Sequence, residues 1–113
     1  MKLIVEQQDG LVIFTLRGRL VGPPETDELH EKITLHLEKG TKKFIIDLRY
    51  VTWVSSMGIG AIMRALMTVR NSGGDLRLSN VTEKAQELLS ITKVIGLIKT
   101  FENVPQAVES FSI

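Results

Sequence analysis

Two adjacent serines, Ser55 and Ser56, are the side chains in this 113-residue sequence that are best placed for chemistry. They follow a continuous apolar run at residues 44–46, typical of a buried strand, and precede a helical apolar stripe that begins at Ile59. A hydroxyl at a helix start commonly accepts a backbone hydrogen bond, worth about 1 kcal/mol. The first-turn N–H groups also favour anions, so a phosphoserine would be accommodated there. Ser56 is therefore either a capping residue or a regulated hydroxyl.

Two glycines, Gly58 and Gly60, follow the serines. We expect them to remove side chains from the first helical turn, so that a partner's backbone or a phosphate could approach closely. The pair is not a phosphate-binding loop, because a third glycine and a Gly-Lys-Ser/Thr sequence are missing. No Gly-x-Ser-x-Gly elbow surrounds Ser56, and no sequence feature points to a histidine partner. We predict a protein that is not an enzyme, with no catalytic residue and no cofactor.

The histidines and cysteines give no metal site. His30 and His36 are six residues apart on a predicted helix, so they point to different faces and cannot jointly bind a metal. We expect both to be surface or boundary residues. The absence of cysteine excludes disulfides, a thiol nucleophile and a cysteine-based metal site.

The composition is that of an ordinary globular domain, with 43% hydrophobic and 24% charged residues. A formal net charge of +1 gives no reason to expect nucleic acid or a membrane as partner. No apolar run approaches the roughly 18 residues that cross a bilayer. An acidic residue, Glu6, occurs too close to the start of the sequence for a signal peptide. We expect one domain over residues 1–113, in the cytoplasm.

The elements that must position the serines follow from periodicity and turn signals. Residues 3–7 and 11–16, separated by Asp9-Gly10, predict an antiparallel pair, followed by a loop at 18–24. A helix is predicted at 24–39, ended by Gly40, and then the strand 44–46, stopped by Asp47. The central helix continues the stripe from Ile59 and ends at residues 71–74.

The rest of the chain alternates strands and helices. Residues 75–78 predict a strand, and Asn80 or Thr82 would cap a helix that runs to about Thr92 and is terminated by Gly96. A strand at 98–101 and a helix at 104–111 complete the chain. The order β-β-α-β-α-β-α-β-α predicts an α/β fold, with a small mixed sheet, about four helices and right-handed crossovers.

Residues 47–60, Asp-Leu-Arg-Tyr-Val-Thr-Trp-Val-Ser-Ser-Met-Gly-Ile-Gly, resemble the signature of the STAS domain family of anti-sigma factor antagonists. In that family a strand ending in Asp-Leu leads to an Asp-Ser-Ser/Thr-Gly-Leu-Gly turn at a helix start, and the first serine of the turn is phosphorylated. Ser56 matches this serine, and Gly58 and Gly60 match the two glycines. The resemblance covers nearly the whole chain, although only this turn is diagnostic.

Three residues depart from the family pattern. Ser55 stands where the family usually has aspartate, and Met57 where it has serine or threonine. Val21 replaces the aspartate of the family's Gly-x-Leu-Asp sequence, which Gly18-Arg19-Leu20 otherwise matches. The sequence thus lacks both acids that the family places around the phosphoacceptor, so binding without phosphorylation is a second interpretation.

The resemblance implies a single STAS domain that binds an anti-sigma factor with serine kinase activity and thereby regulates sigma-factor-dependent transcription. Phosphorylation of Ser56 would switch this binding off, and a serine phosphatase would restore it. No nucleic acid or membrane partner is expected, and the chain would be a monomer or weak homodimer. The predicted partner-binding residues surround the serines: Val54, Ser55, Ser56, Met57, Gly58 and Ile59.

Two alternatives remain from the sequence. The chain could be an unphosphorylated STAS adaptor in a transport or stressosome-like complex, which the missing acids favour. It could also be a small nucleotide-binding domain that uses the same turn. Trp53, just before the serines, is either a core anchor or an exposed partner contact, and Arg49 and Arg64 are candidates to flank the site.

Overall fold

A five-stranded sheet in the order β1-β2-β3-β4-β5 forms the centre of the protein, in a computed structural model that describes residues 2–112. β1 and β2 are antiparallel, and the later neighbours are parallel. The predicted α/β fold with a mixed sheet is confirmed. The strands are β1 (Lys2–Gln8), β2 (Leu11–Leu20), β3 (Lys43–Val54), β4 (Asp75–Ser79) and β5 (Thr100–Phe101). The helices are α1 (Glu25–Glu38), α2 (Ser56–Asn71), α3 (Glu83–Ile91) and α4 (Val104–Glu109).

The helices cover the two faces of the sheet unequally. Buried residues of α1, α2 and α3 pack with β2, β3 and β4 in one large cluster, which includes the stacked rings of Phe14 and Phe44, 6.1 Å apart. On the other face, Ala107 of α4 packs against Leu11, Ile13 and Ile45 in a smaller cluster. The first half of β3 is therefore covered on both faces, by the crossover helices α1, α2 and α3 on one face and by α4 on the other.

The antiparallel pair at the start of the chain is confirmed, with a turn at Asp9 and Gly10, both at positive φ. β2 is longer than predicted and reaches Leu20, so the predicted loop begins only at residue 21. Leu20 is fully buried and lies opposite Val54 of β3. Gly18 indicated a loop because glycine is depleted in strands, whereas in the structure it lies within β2 at a positive φ.

β3 continues seven residues past Asp47, contrary to the prediction that Asp47 ends the strand. Asp47 does bond nearby backbone, since its Oδ1 accepts the Arg49 N–H at 3.1 Å, and it also accepts the Asn80 side-chain amide at 2.9 Å. The register against β2 shifts twice beyond this point, which places two extra residues on β3. Such bulges re-aim side chains, and here Leu48, Val51 and Val54 are buried while the residues between them are exposed.

The third helix lies close to its prediction. Of the two predicted caps, Thr82 caps α3 by accepting the Ala85 N–H at 3.2 Å, whereas Asn80 bonds to Asp47. α3 ends at Ile91, beside the predicted end near Thr92, because Lys93 adopts a left-handed conformation. Gly96 does not terminate the helix but lies in the 3₁₀ turn that follows, Val94–Gly96.

His36 is buried, contrary to the prediction of a surface or boundary position; its exposed fraction is 6%. With Leu29 and Ile33 it recurs at i, i+4 and i+7, which is the inner stripe of α1. Its ring makes an edge contact with Phe14 at 5.9 Å between centroids. Burial lowers the pKa of His36, and the charges of Lys39 and Lys32 lower it further.

We expect the free energy of unfolding to fall as the pH drops below about 6.5, the ordinary pKa of histidine in the unfolded chain. In the unfolded chain His36 binds a proton in this pH range. In the folded chain its lowered pKa keeps the His36 ring unprotonated until a lower pH. Urea unfolding between about pH 5 and 8 measures this slope. His36→Gln should flatten it, with His30→Gln as the matched control. An unchanged slope in His36→Gln would assign the dependence to other groups.

Candidate functional site

Ser55 and Ser56 lie where β3 ends and α2 begins, and they have different environments. Ser55 is the N-cap: its Oγ accepts the Gly58 N–H at 3.2 Å and donates to the Val21 carbonyl at 2.9 Å. Its backbone N–H also donates to the Leu20 carbonyl at 3.1 Å. Through its bonds to the Leu20 and Val21 carbonyls, Ser55 connects the start of α2 to the end of β2.

Ser56 is the first helical residue and is exposed. Within residues 2–112 its hydroxyl has no hydrogen-bond partner. The capping role that was open for Ser56 therefore belongs to Ser55. The regulated-hydroxyl interpretation of Ser56 stays a prediction.

The two serines should differ in their contribution to stability. Ser55→Ala removes a cap and leaves the Val21 carbonyl without its donor, so we expect the free energy of unfolding to fall by about 1 to 2 kcal/mol. Ser56→Ala should change it by less than about 0.5 kcal/mol, as exposed substitutions do. Guanidinium unfolding of both variants makes the comparison. Equal losses would show that both hydroxyls support the fold.

The hydrogen bond from Ser55 Oγ to the Val21 carbonyl joins two of the residues that depart from the family pattern. A serine at position 55 can donate to the Val21 carbonyl, whereas an ionised aspartate only accepts hydrogen bonds. The loop before α1 and the start of α2 are thus linked through a neutral bond. Neither Ser55 nor Val21 brings negative charge to this end of the sheet.

Gly58 and Gly60 have opposite surroundings. A Cβ on Gly58 would lie 2.1 Å from the Leu20 carbonyl oxygen and 3.0 Å from Val54 Cγ2, so Gly58 lets α2 approach β2. Gly58 is buried, and its missing side chain serves packing rather than the approach of a partner. Gly60 is exposed, and a Cβ there would meet no atom within 4 Å. The expectation of an open first turn therefore holds only for Gly60.

The predicted partner-binding residues divide by exposure. Val54 and Ile59 are each 2% exposed, and with Gly58 they offer no accessible side chain. Met57 is 62% exposed and Ser56 is exposed, with Ser55 half-buried between strand and helix. We therefore narrow the predicted contact surface of this turn to Ser56 and Met57, with Ser55 beneath them.

Met57 borders a cleft of about 250 Å³ between α1 and α2. Arg64 and His30 also line this cleft, so Arg64 does lie beside the site, one helical turn from Gly60 on the same face of α2. The Nδ1 atom of His30 is buried and has no hydrogen-bond partner among the described residues.

Exposed aromatic residues on the second half of β3 extend the site. Trp53 is 47% exposed and Tyr50 is 43% exposed, which assigns Trp53 to the surface. The Arg17 and Arg49 guanidinium carbons lie 4.5 and 5.5 Å from the Tyr50 ring centroid, and Lys84 Nζ lies 5.0 Å from the Trp53 ring. Tyr50, Arg17 and Lys84 were not predicted as site residues, because an alternating sequence pattern does not reveal the two bulges that bring them together.

Across residues 2–112, no group of three or more His, Cys, Asp or Glu side chains is arranged to hold a metal ion. None of the helices in this described part of the chain combines the length and the apolar character needed to cross a membrane.

Comparison with known proteins was made on the sequence and on the fold. A family model described as STAS domain matches residues 2–107. The chain is 22% identical over 111 residues to BtrV of Bordetella bronchiseptica, provisionally named an anti-sigma factor antagonist, covering 98% of this chain and 95% of that protein. A Thermotoga maritima protein with the same provisional name is 30% identical over 73 residues, 65% of each chain.

The fold is similar to those of solved structures over nearly its full length. A Thermotoga maritima structure, provisionally an anti-sigma factor antagonist, matches with a TM-score of 0.89 at 23% identity, covering 98% of this chain and 95% of that one. SpoIIAA, an anti-sigma factor antagonist in its unphosphorylated form, matches with a TM-score of 0.73 at 16% identity, covering 96% of each chain. SpoIIAA of Bacillus has also been solved in a phosphorylated form, which matches with a TM-score of 0.77.

Proposed function

The chain belongs to the STAS domain family, and from this we propose that it is an anti-sigma factor antagonist that works by partner switching. In this role it binds an anti-sigma factor, which then releases its sigma factor for transcription. The names of full-length relatives support the role. The proposed cellular location is the cytoplasm. The proposed oligomeric state is a monomer or weak homodimer.

The observation that carries the switch is the exposed hydroxyl of Ser56, which has no hydrogen-bond partner among residues 2–112, beside the Ser55 hydroxyl, which both donates and accepts a hydrogen bond. An attacking hydroxyl must reach the active site of a kinase, and Ser56 is the accessible one at the helix start. Because Ser55 alone caps α2, modification of Ser56 leaves the cap intact. The first-turn N–H groups would tolerate the added phosphate.

The chemistry of the switch belongs to its partners. The Ser56 hydroxyl oxygen would attack the terminal phosphate of the kinase's nucleotide, with loss of the hydroxyl proton and departure of the nucleoside diphosphate. A phosphatase would return the hydroxyl by hydrolysis. The chain itself is then a substrate and a ligand rather than a catalyst, and the added charge of about −1.5 to −2 opposes docking at Ser56 and Met57.

Intact-mass analysis of the chain isolated from its native cells tests the proposal, with fragment mapping of residues 43–70. We expect one phosphate at partial occupancy on Ser56, absent in Ser56→Ala. A phosphate mapped to Ser55 instead of Ser56 would contradict the switch, and so would a Ser56 that stays unmodified across growth and stress conditions. The second outcome would favour an adaptor that binds without phosphorylation, as the missing acids allow.

A further inference from the structure

We propose that the anti-sigma factor has an acidic surface and that this surface docks on the second half of β3. There, arginine and lysine side chains of the present chain lie over two exposed aromatic rings. We call this patch the basic aromatic surface and define it by Tyr50, Trp53, Arg17, Arg49 and Lys84. The inference rests on the proposed function, because it gives the chemistry of the partner in that same switch. It extends the contact beyond the start of α2.

The two rings supply the apolar part of the basic aromatic surface. Tyr50 and Trp53 are 43% and 47% exposed, and they lie three positions apart, about 10 Å along β3. Both lie in the bulged segment that turns side chains away from the core. Exposed aromatic residues are enriched in protein interfaces and supply most of the residues whose truncation costs much affinity.

The cations supply the charged part. Arg17 and Arg49 both lie over Tyr50, and Lys84 reaches Trp53 from the first turn of α3. Contact with the rings keeps each charge close to the apolar surface. Among the described residues, none of these three cations forms an ion pair with a carboxylate. Their N–H donors therefore remain available to carboxylates of a partner.

The sequence around the basic aromatic surface is strongly biased in charge. Residues 48–56 contain Arg49 and no acid, and residues 10–24 contain Arg17 and Arg19 and no acid. Asp47, at the base of the bulged segment, is 6% exposed and is bonded to Arg49 N–H and the Asn80 amide. In a chain with a formal net charge of only +1, the second halves of β2 and β3 thus carry arginines and no acid beyond Asp47. Complementary potentials across an interface require an acidic partner surface here.

A protein fits this surface better than a membrane does. Beside Tyr50, a cleft of about 480 Å³ is lined by Arg49, Gln86 and Glu102. A concave site suits a protruding partner side chain, which a continuous layer of headgroups does not offer. An acidic partner also explains how a phosphate on Ser56 would end binding, since it places like charges together at the start of α2.

Titration calorimetry with the purified anti-sigma factor encoded in the same genome tests the inference. Arg49→Glu and Trp53→Ala should each weaken binding by about tenfold or more, and added salt should weaken wild-type binding more than that of Arg49→Glu. Lys32→Glu and Leu35→Ala are the matched controls, because both residues are exposed on the second half of α1. They should bind within about twofold of wild type, and circular dichroism confirms that all variants are folded.

The alternatives give different results in the same series. If Ser56→Glu loses binding while Arg49→Glu and Trp53→Ala bind like wild type, the basic aromatic surface is rejected and the proposed function stands. If the wild-type chain does not bind the anti-sigma factor, both are rejected. Cosedimentation with vesicles of phosphatidylglycerol and phosphatidylcholine completes the test. Vesicle binding that is lost in Arg49→Glu, with anti-sigma factor binding unaffected, would identify a lipid-binding surface and overturn the inference.

Discussion

Gly58→Ala is expected to lower the free energy of unfolding by about 3 kcal/mol, the largest single-residue effect on stability that we predict at the site. The new Cβ would lie 2.1 Å from the Leu20 carbonyl oxygen and 3.0 Å from Val54 Cγ2. Neither neighbour can move freely, because Leu20 and Val54 are opposite each other in the sheet and both are buried. α2 would have to shift away from β2 and break the Ser55 bonds to Leu20 and Val21.

Gly60→Ala is the matched control for this substitution. Gly60 is exposed on the same helix, and a Cβ there meets no atom within 4 Å. Alanine should therefore stabilise the chain by about 0.5 to 1 kcal/mol through its higher helix propensity. Guanidinium unfolding measures both variants. A loss of less than about 1 kcal/mol in Gly58→Ala would show that α2 adjusts freely and that the close approach to Leu20 is not needed.

Ser56→Glu is expected to weaken anti-sigma factor binding by about a hundredfold, close to 2.7 kcal/mol. The carboxylate adds a charge at the start of α2, where the proposed interface would exclude water and where an acidic partner would repel it. Because Ser56 is exposed and its hydroxyl is unbonded within the described residues, the folded state should be unchanged. Calorimetric titration gives the affinity, and guanidinium unfolding checks the stability.

Two further variants separate charge from position. Ser56→Ala should bind within a few-fold of wild type, since it removes only an unbonded hydroxyl. Ser90→Glu, at an exposed serine of α3, adds the same charge elsewhere and should also bind normally. If Ser56→Glu binds as tightly as Ser56→Ala, the start of α2 lies outside the interface and a phosphate there cannot act as the proposed switch.

The order of the elements was predictable because each helix carries a strong apolar stripe and each turn a clear signal. Asp9-Gly10 gave the opening hairpin, and the spacing of Ile59, Ile62 and Leu66 gave α2. The second half of β3 was not predictable, because its bulges break the alternation of buried and exposed residues around Tyr50 and Trp53. His36 could have been found, since it continues the stripe of Leu29 and Ile33.

The candidate site was predictable to within a few residues but not in its details. Two adjacent serines left the identity of the cap open, and only the position at which α2 begins assigns it to Ser55. The sequence likewise cannot distinguish a glycine that faces a neighbouring strand from one that faces solvent, as Gly58 and Gly60 do. Both distinctions depend on distances between elements that are far apart in the chain.

The pairing of β3 has a further consequence for local stability. Its first part, up to Asp47, is paired with β2 on one side and with β4 on the other, whereas β4 ends at Ser79, opposite Asp47. From Leu48 onward β3 is paired with β2 alone. Backbone amides in this half should open, and exchange with deuterium, at a lower free energy than those in the first half. The segment that carries Tyr50 and Trp53 is thus supported by one neighbouring strand only, while Leu48, Val51 and Val54 hold it to the core.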